Sequence, residues 1–137
     1  MKFFQKHQAY GLLILRVGIG AMFMFHGFGK MTGGPELWSK VGAAMGYFGI
    51  SWQPVLFGFL AMCAEFFGGA CLILGLFFRW ACLFLLFTMI VASTMHLASG
   101  DTLNVASHAI EAGIVFLGLM FSGPGPKSLD EKLSRRR

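Results

Sequence analysis

The sequence predicts an all-α integral membrane protein, an antiparallel four-helix bundle with a short amphipathic helix in the first outer loop. Its 137 residues are 56% hydrophobic and only 12% charged, whereas soluble domains carry about 25% charged residues. Four apolar segments are also long enough to cross a bilayer, which takes about 20 residues of helix. Nothing in the sequence indicates a second domain, so residues 1–137 are expected to form a single membrane domain.

The four transmembrane helices are predicted at residues 10–29, 54–78, 80–98 and 105–122. In the longest connection, Pro35 is well placed to open a further helix. The apolar face of that helix would hold Leu37, Val41, Ala44, Met45 and Phe48. We expect it to lie on the membrane surface or to cap the bundle. The connections between the last three spans are short, so these helices are expected to be antiparallel neighbours.

Small residues and helix-breaking residues add detail to this bundle. Glycines in the first two spans offer surfaces at which helices can approach closely: Gly18, Gly20, Gly27, Gly58, Gly68, Gly69 and Gly75. The three cysteines, Cys63, Cys71 and Cys82, form no CxxC pair and lie in apolar runs, so they are expected to be packing residues. Glycines and prolines at 123–126 end the fourth span, and residues 123–137 are expected to form a loosely held cytoplasmic tail.

The distribution of basic residues predicts the orientation in the membrane. The formal net charge is +5, but the basic side chains gather at the chain ends, which argues against nucleic acid as a partner. Cytoplasmic loops of membrane proteins are rich in Lys and Arg. Lys30 and Lys40 fall on one side of the membrane, and the other side holds Lys2, Lys6, Arg79, Lys127, Lys132, Arg135, Arg136 and Arg137. Both termini are therefore expected in the cytoplasm.

Six ionisable side chains fall inside the predicted spans: Arg16, His26, Glu65, His96, His108 and Glu111. Such residues are costly in lipid and usually face the bundle interior, where they pair or take part in chemistry. Counted along the helices at 1.5 Å per residue, most of them lie in the outer half of the membrane. We therefore expect one shared polar pocket that opens outward, with an Arg16–Glu65 ion pair at its floor. The structural alternative is that each group fixes helix packing or reaches interfacial water.

The spacing of His108 and Glu111 places both on one face of the fourth helix, so they can point together into the bundle. A di-iron bundle would need a Glu from each of two helices and a Glu-x-x-His pair from each of two others. The sequence offers less than this set. A single zinc or copper ion on His96, His108 and a carboxylate stays open as an alternative, because imidazole suits those ions, but no ligand pair has a metal-specific spacing, so no metal site is predicted.

Three blocks of the sequence, taken together, resemble the DoxX family of small bacterial and archaeal membrane proteins. The first block is residues 15–20 with His26, Gly27 and Lys30, and the second is Glu65, Gly68, Gly69, Gly75 and Arg79. The closing block is His108 and Glu111 followed by residues 123–130, which have Pro126 and Lys127 where the family more usually has Arg and Tyr. The resemblance implies a four-helix protein of the inner cell membrane. Some relatives are the small membrane subunit of thiosulfate:quinone oxidoreductase, and others are tied to sulfur metabolism or oxidative stress.

The resemblance favours a membrane subunit of a redox system that binds a quinone or a related small apolar ligand. Glu65, His108 and Glu111 are then the candidate catalytic residues, because carboxylates and imidazoles can move protons. Candidate ligand-binding residues are Arg16, His26 and His96. The sequence contains no flavin, haem or iron–sulfur motif, so the electrons would come from a second redox subunit or from the substrate.

Two other functions remain open at the level of the sequence. One is a membrane anchor or assembly subunit that recruits a partner protein through the outer loop or the tail. The other is a small transporter or proton- or ion-binding protein, working as a homodimer, because intramembrane carboxylates also mark transport paths.

Overall fold

Four long apolar helices form an antiparallel bundle, which confirms the predicted fold class. The computed structural model describes residues 7–136, and within that range each of the four is long and apolar enough to span a membrane. The long helices are α1 (Gln8–Gly42), α2 (Pro54–Leu74), α3 (Phe78–Ala98) and α4 (Leu103–Ser122), and a short helix, α5 (Leu129–Ser134), follows them. A helix of 20 or 21 residues is about 30 Å long, which matches the hydrocarbon thickness of a bilayer.

The helix predicted in the first outer loop is present and caps the bundle. Gly34, with φ of 63°, interrupts α1 immediately before Pro35, and the helix then resumes and passes into a 3₁₀ segment, Ala43–Phe48. Ala44 and Met45 are buried, whereas Phe48 of the same predicted apolar face is 44% exposed. We refer to residues 35–48 as the cap.

Close contact between α1 and α2 sets the register of the bundle. A Cβ atom on Gly20 would lie 2.7 Å from the carbonyl oxygen of Gly69, and one on Gly27 would lie 2.5 Å from the backbone nitrogen of Phe66. Glycine is therefore required at both positions for the backbones to approach this closely. Gly18, expected to belong to the same surface, has nothing within 4 Å of its Cβ position and faces away from the bundle.

The apolar core lies between all four helices. The rings of Phe23 in α1 and Phe116 in α4 meet edge to face, with 4.7 Å between their centroids. Leu72 of α2 and Leu85 of α3 are fully buried in the same cluster. These contacts join α1 and α4 across the bundle.

The chain after α4 is docked against the bundle, so the expectation of a loosely held tail is wrong. Asp130 accepts hydrogen bonds from the backbone nitrogens of Phe77 and Phe78, each at 2.9 Å, and its own backbone nitrogen donates to the carbonyl of Gly75 at 2.9 Å. Ser128 is 1% exposed. The tail is fixed because it supplies partners for the exposed backbone groups between α2 and α3.

The turn between α2 and α3 lies a few residues before the predicted one. Gly75, with φ of 64°, ends α2 in the left-handed conformation, and α3 begins at Phe78. The second span therefore stops at Leu74 and does not extend to residue 78. Lys2, Lys6 and Arg137, which contributed to the predicted orientation, lie outside the described residues.

Candidate functional site

A cavity of about 770 Å³ lies between α2 and α3, below the cap. Its walls are almost entirely aliphatic and aromatic, with Leu60 and Ala64 on α2, Val91 and Ala92 on α3 and Met45 on the cap. Lys30 and Glu65 are the charged residues in this lining. We call this space the apolar cavity.

The rim of the apolar cavity faces the lipid side of the bundle. Phe67 of α2 is 56% exposed, and Phe84 and Phe87 of α3 are 57% and 54% exposed, although all three line the cavity. These half-exposed rings lie on helices that are long and apolar enough to span a membrane, so the side of the cavity that they border is turned toward the surface that lipid would cover.

An ion pair between Lys30 and Glu65 forms the polar part of the cavity wall. The Lys30 ammonium donates to Oε2 of Glu65. The Glu65 side chain is 5% exposed and that of Lys30 is 21% exposed, so the pair is largely removed from solvent. Among residues 7–136, Glu65 is the hydrogen-bond partner of this ammonium, whose two other N–H groups can reach a ligand oxygen.

The cap holds Lys30 in position from above. Trp38 donates from its indole nitrogen to the backbone carbonyl of Lys30 at 2.7 Å, and its ring packs against Phe59 of α2 with centroids 5.1 Å apart. The break at Gly34 and Pro35 turns the chain so that Trp38 can reach back over two turns of helix. The cap therefore forms the roof of the apolar cavity and holds the backbone of Lys30, which contributes to the cavity lining.

The predicted Arg16–Glu65 ion pair does not form. Arg16 donates instead to the backbone carbonyls of Pro124, at 2.8 Å, and Lys127. It is 2% exposed, and its Nε atom has no hydrogen-bond partner among residues 7–136. The register of α1 and α2 explains the difference: Gly27 lies opposite Phe66 and Arg16 lies beside Gly75, so Glu65 is level with the part of α1 that carries Lys30.

The expected shared pocket for all six intramembrane groups is also wrong. Glu65 lines the apolar cavity, but none of the other five does. His96 is half-buried at the end of α3 and contacts Asp101 through Nδ1, 2.8 Å from Oδ2. His26, His108 and Glu111 are exposed on the outer surface of the bundle. Glu65 can lie in the interior because Lys30 neutralises its charge. His108 and Glu111 of α4 project away from the core.

All three cysteines are free; Cys63 and Cys71 line the apolar cavity, and Cys82 is fully buried. In the part of the chain that the structure describes, no three His, Cys, Asp or Glu side chains lie close enough together to hold a metal ion.

Lys30 is the site residue that sequence reasoning placed wrongly, as an ordinary basic residue of the outer loop. Two signals could have found it. It follows an apolar span without a turn residue between, and it belongs to the first block of the family resemblance. A buried glutamate also needs a cation, and Lys30 lies one helical turn beyond Gly27, which contacts α2 at Phe66.

These features define a class of protein: a multi-pass membrane protein built as a four-helix bundle, with a ligand-sized cavity between two of its helices. The chain belongs to the DoxX family, whose family model matches residues 11–98. A protein of Haemophilus influenzae that is described as an uncharacterized protein is 31% identical over 138 residues, which cover 96% of this chain and 97% of that relative. No solved structure matches the chain.

Proposed function

We propose that this chain binds a quinone or a related small apolar ligand in the apolar cavity, as a membrane subunit of a redox system. The observation that carries the proposal is the combination of apolar walls with one ion pair, Lys30–Glu65. A quinone calls for the same combination, because its ring and isoprenoid tail are apolar whereas its two ring oxygens accept hydrogen bonds. Ligand pockets in general are mostly apolar with a few placed polar groups.

The size and the opening of the cavity suit such a ligand. Its volume of about 770 Å³ falls within the range of about 300 to 1,000 Å³ that is usual for pockets holding small molecules. The exposed rim at Phe67, Phe84 and Phe87 would let a molecule dissolved in the bilayer enter without crossing water. The same rim disfavours a strongly hydrated substrate.

Lys30 and Glu65 would act on one ring oxygen of the ligand. A bound quinone accepts two electrons and two protons in its reduction. The Lys30 ammonium can donate a hydrogen bond to the ring oxygen and stabilise negative charge that develops there. Glu65, a carboxylate while it is paired with Lys30, can take up one proton as charge develops on the ligand and pass it to the same ring oxygen, and the second proton reaches the other ring oxygen from outside this pair. In this proposal the electrons come from a second redox subunit, and the site in this chain binds, orients and protonates.

Binding can be tested on the purified full chain by titration with a short-chain ubiquinone analogue, followed by quenching of tryptophan fluorescence. Trp38, which contacts Lys30, is the expected reporter. Ala92→Phe would fill the cavity, and Ala21→Phe is the matched control because Ala21 is exposed and lies outside the cavity lining. We expect saturable quenching in the parent and the control, and affinity at least about tenfold lower in Ala92→Phe.

A second pair of variants tests the polar wall. Lys30→Met removes a charged hydrogen-bond donor, which is worth about 1.5 to 3 kcal/mol, so the dissociation constant should rise about 10- to 100-fold. Lys40→Met, which removes an exposed lysine of the cap, should bind as the parent does. Equal binding by Ala92→Phe, or loss of binding in both lysine variants alike, would contradict the proposed site.

A further inference from the structure

We propose that the outer face of α4 is the interface between two copies of this chain, arranged in parallel about a twofold axis normal to the membrane. The face carries polar residues and one glycine along most of the helix, which we call the polar stripe: Asn104, Ser107, His108, Glu111, Gly118 and Ser122. At 3.6 residues per turn these six positions lie within an arc of about 100°. All are exposed except Ser107, which is half-buried. Val115 falls within the same arc and packs partly against the core.

The polar stripe points away from the rest of the bundle. The buried residues of α4 lie on another side of the helix and include Ala106, Gly113 and Phe116. Gly113 lies near Met89 of α3, and Phe116 contacts Phe23 of α1. The contacts within the chain therefore use one face of α4 and leave the stripe uncovered.

Two ionisable side chains of the stripe have no partner within the described part of the chain. Among residues 7–136, neither His108 nor Glu111 forms a hydrogen bond or an ion pair. Glu111 lies eight residues after the first residue of α4, which places it about 12 Å along the helix and inside the hydrocarbon region. Ionisable groups at such depths face a bundle interior or pair with other groups, so the stripe requires a covering surface.

A second copy supplies the matching chemistry. Copies in one membrane share the same orientation, so a twofold axis normal to the membrane brings residues of equal depth together. In the stripe, the donor His108 and the acceptor Glu111 are one helical turn apart, and a parallel partner presents them in the same order and at the same depths. Each carboxylate can then accept a hydrogen bond diagonally from His108 of the other copy, so the face is complementary to itself.

One further observation supports close approach at this face. Gly118 has nothing within 4 Å of its Cβ position, and glycine on an exposed face lets the backbones of two membrane helices come together.

Cysteine cross-linking in native membranes tests the location of the interface. Ser107→Cys and Gly118→Cys place thiols on the stripe, and Ile90→Cys is the control on α3, where Ile90 is 48% exposed. With a short bismaleimide we expect a product of twice the chain mass from at least one stripe variant. The parent, whose three cysteines lie elsewhere, and Ile90→Cys should remain monomeric on the gel.

A second measurement tests the chemistry of the contact. Energy transfer between labelled copies in lipid vesicles, followed as the protein is diluted into lipid, gives the dissociation constant of the dimer. Glu111→Leu should raise it about tenfold, because one polar pair is lost on each side of the axis, and Ile90→Ala should leave it unchanged. Absence of energy transfer between labelled copies of the parent, cross-linking through Ile90→Cys instead of the stripe variants, or a cross-linked product of another mass would overturn the proposal.

Discussion

Breaking the Lys30–Glu65 pair from one side should destabilise the bundle more than removing the pair altogether. In Lys30→Met the Glu65 carboxylate, 5% exposed, remains in an apolar wall without its cation. Removing one partner of a buried ion pair costs about 3 to 5 kcal/mol, whereas replacing both with apolar groups of similar size is often neutral. We therefore expect Lys30→Met to lower the free energy of unfolding by about 3 kcal/mol. This value is the lower end of that range, because Lys30 is partly exposed.

The reverse variant should cost less. Glu65→Gln leaves the Lys30 ammonium, whose side chain is 21% exposed and can turn toward the membrane surface. We expect a loss of about 1 kcal/mol, the value of an ordinary hydrogen bond. The double variant Lys30→Met with Glu65→Gln should lie within about 1 kcal/mol of the parent, so the two changes should couple by about 3 kcal/mol.

Unfolding in mixed micelles, driven by added dodecyl sulfate and followed by far-ultraviolet circular dichroism, measures these differences. Lys40→Met serves as the control, because Lys40 is an exposed lysine of the same loop region. Unfolding of Lys30→Met at the same detergent fraction as Lys40→Met would show that the loss of the cation does not destabilise the bundle. A double variant as unstable as Lys30→Met would show that the unpaired Glu65 carboxylate is not the cause of the instability.

Three further changes test the packing of the bundle, each measured by the same unfolding assay. Arg16→Leu takes the donor from two backbone carbonyls and should lower the free energy of unfolding by about 2 to 4 kcal/mol. Protease cleavage after Lys127 should also become faster in this variant. Unchanged cleavage would contradict the docking of the tail through Arg16. Asp130→Ala removes the acceptor for two backbone nitrogens at the start of α3 and should cost about 1 kcal/mol. Gly69→Val should cost about 1 to 3 kcal/mol by overpacking, whereas Gly18→Val, at an open position, should be tolerated.

The fold could be predicted from the sequence because lipid restricts the available structures. A long apolar segment must form a helix to satisfy its backbone, and Pro35 marks the restart of the helix in the outer loop. The docking of residues 123–130 could not be predicted in this way. It depends on a single arginine reaching carbonyls more than a hundred residues later in the chain, and glycine and proline composition alone indicates only the end of a helix.

The candidate site was predicted in part, because depth alone does not determine which groups meet. Counting residues from the helix ends placed Glu65 near Arg16, but the contact of Gly27 with Phe66 sets a register in which Glu65 lies close to Lys30. Rotation about the helix axis was also unknown. His108 and Glu111 do share a face of α4, as their spacing indicates, but that face is turned outward.

Photolabelling is the most direct test of whether the space between α2 and α3 is a ligand site. A quinone analogue with an azide on its ring, irradiated with the full chain in lipid vesicles, marks the residues that surround the ring, and mass spectrometry locates the adducts. We expect labels on cavity-lining residues of α2 and α3 near Glu65 and Thr88. Excess unlabelled quinone, added before irradiation, should prevent this labelling. Labels that resist displacement, or that fall only on α4, would contradict the proposed ligand site.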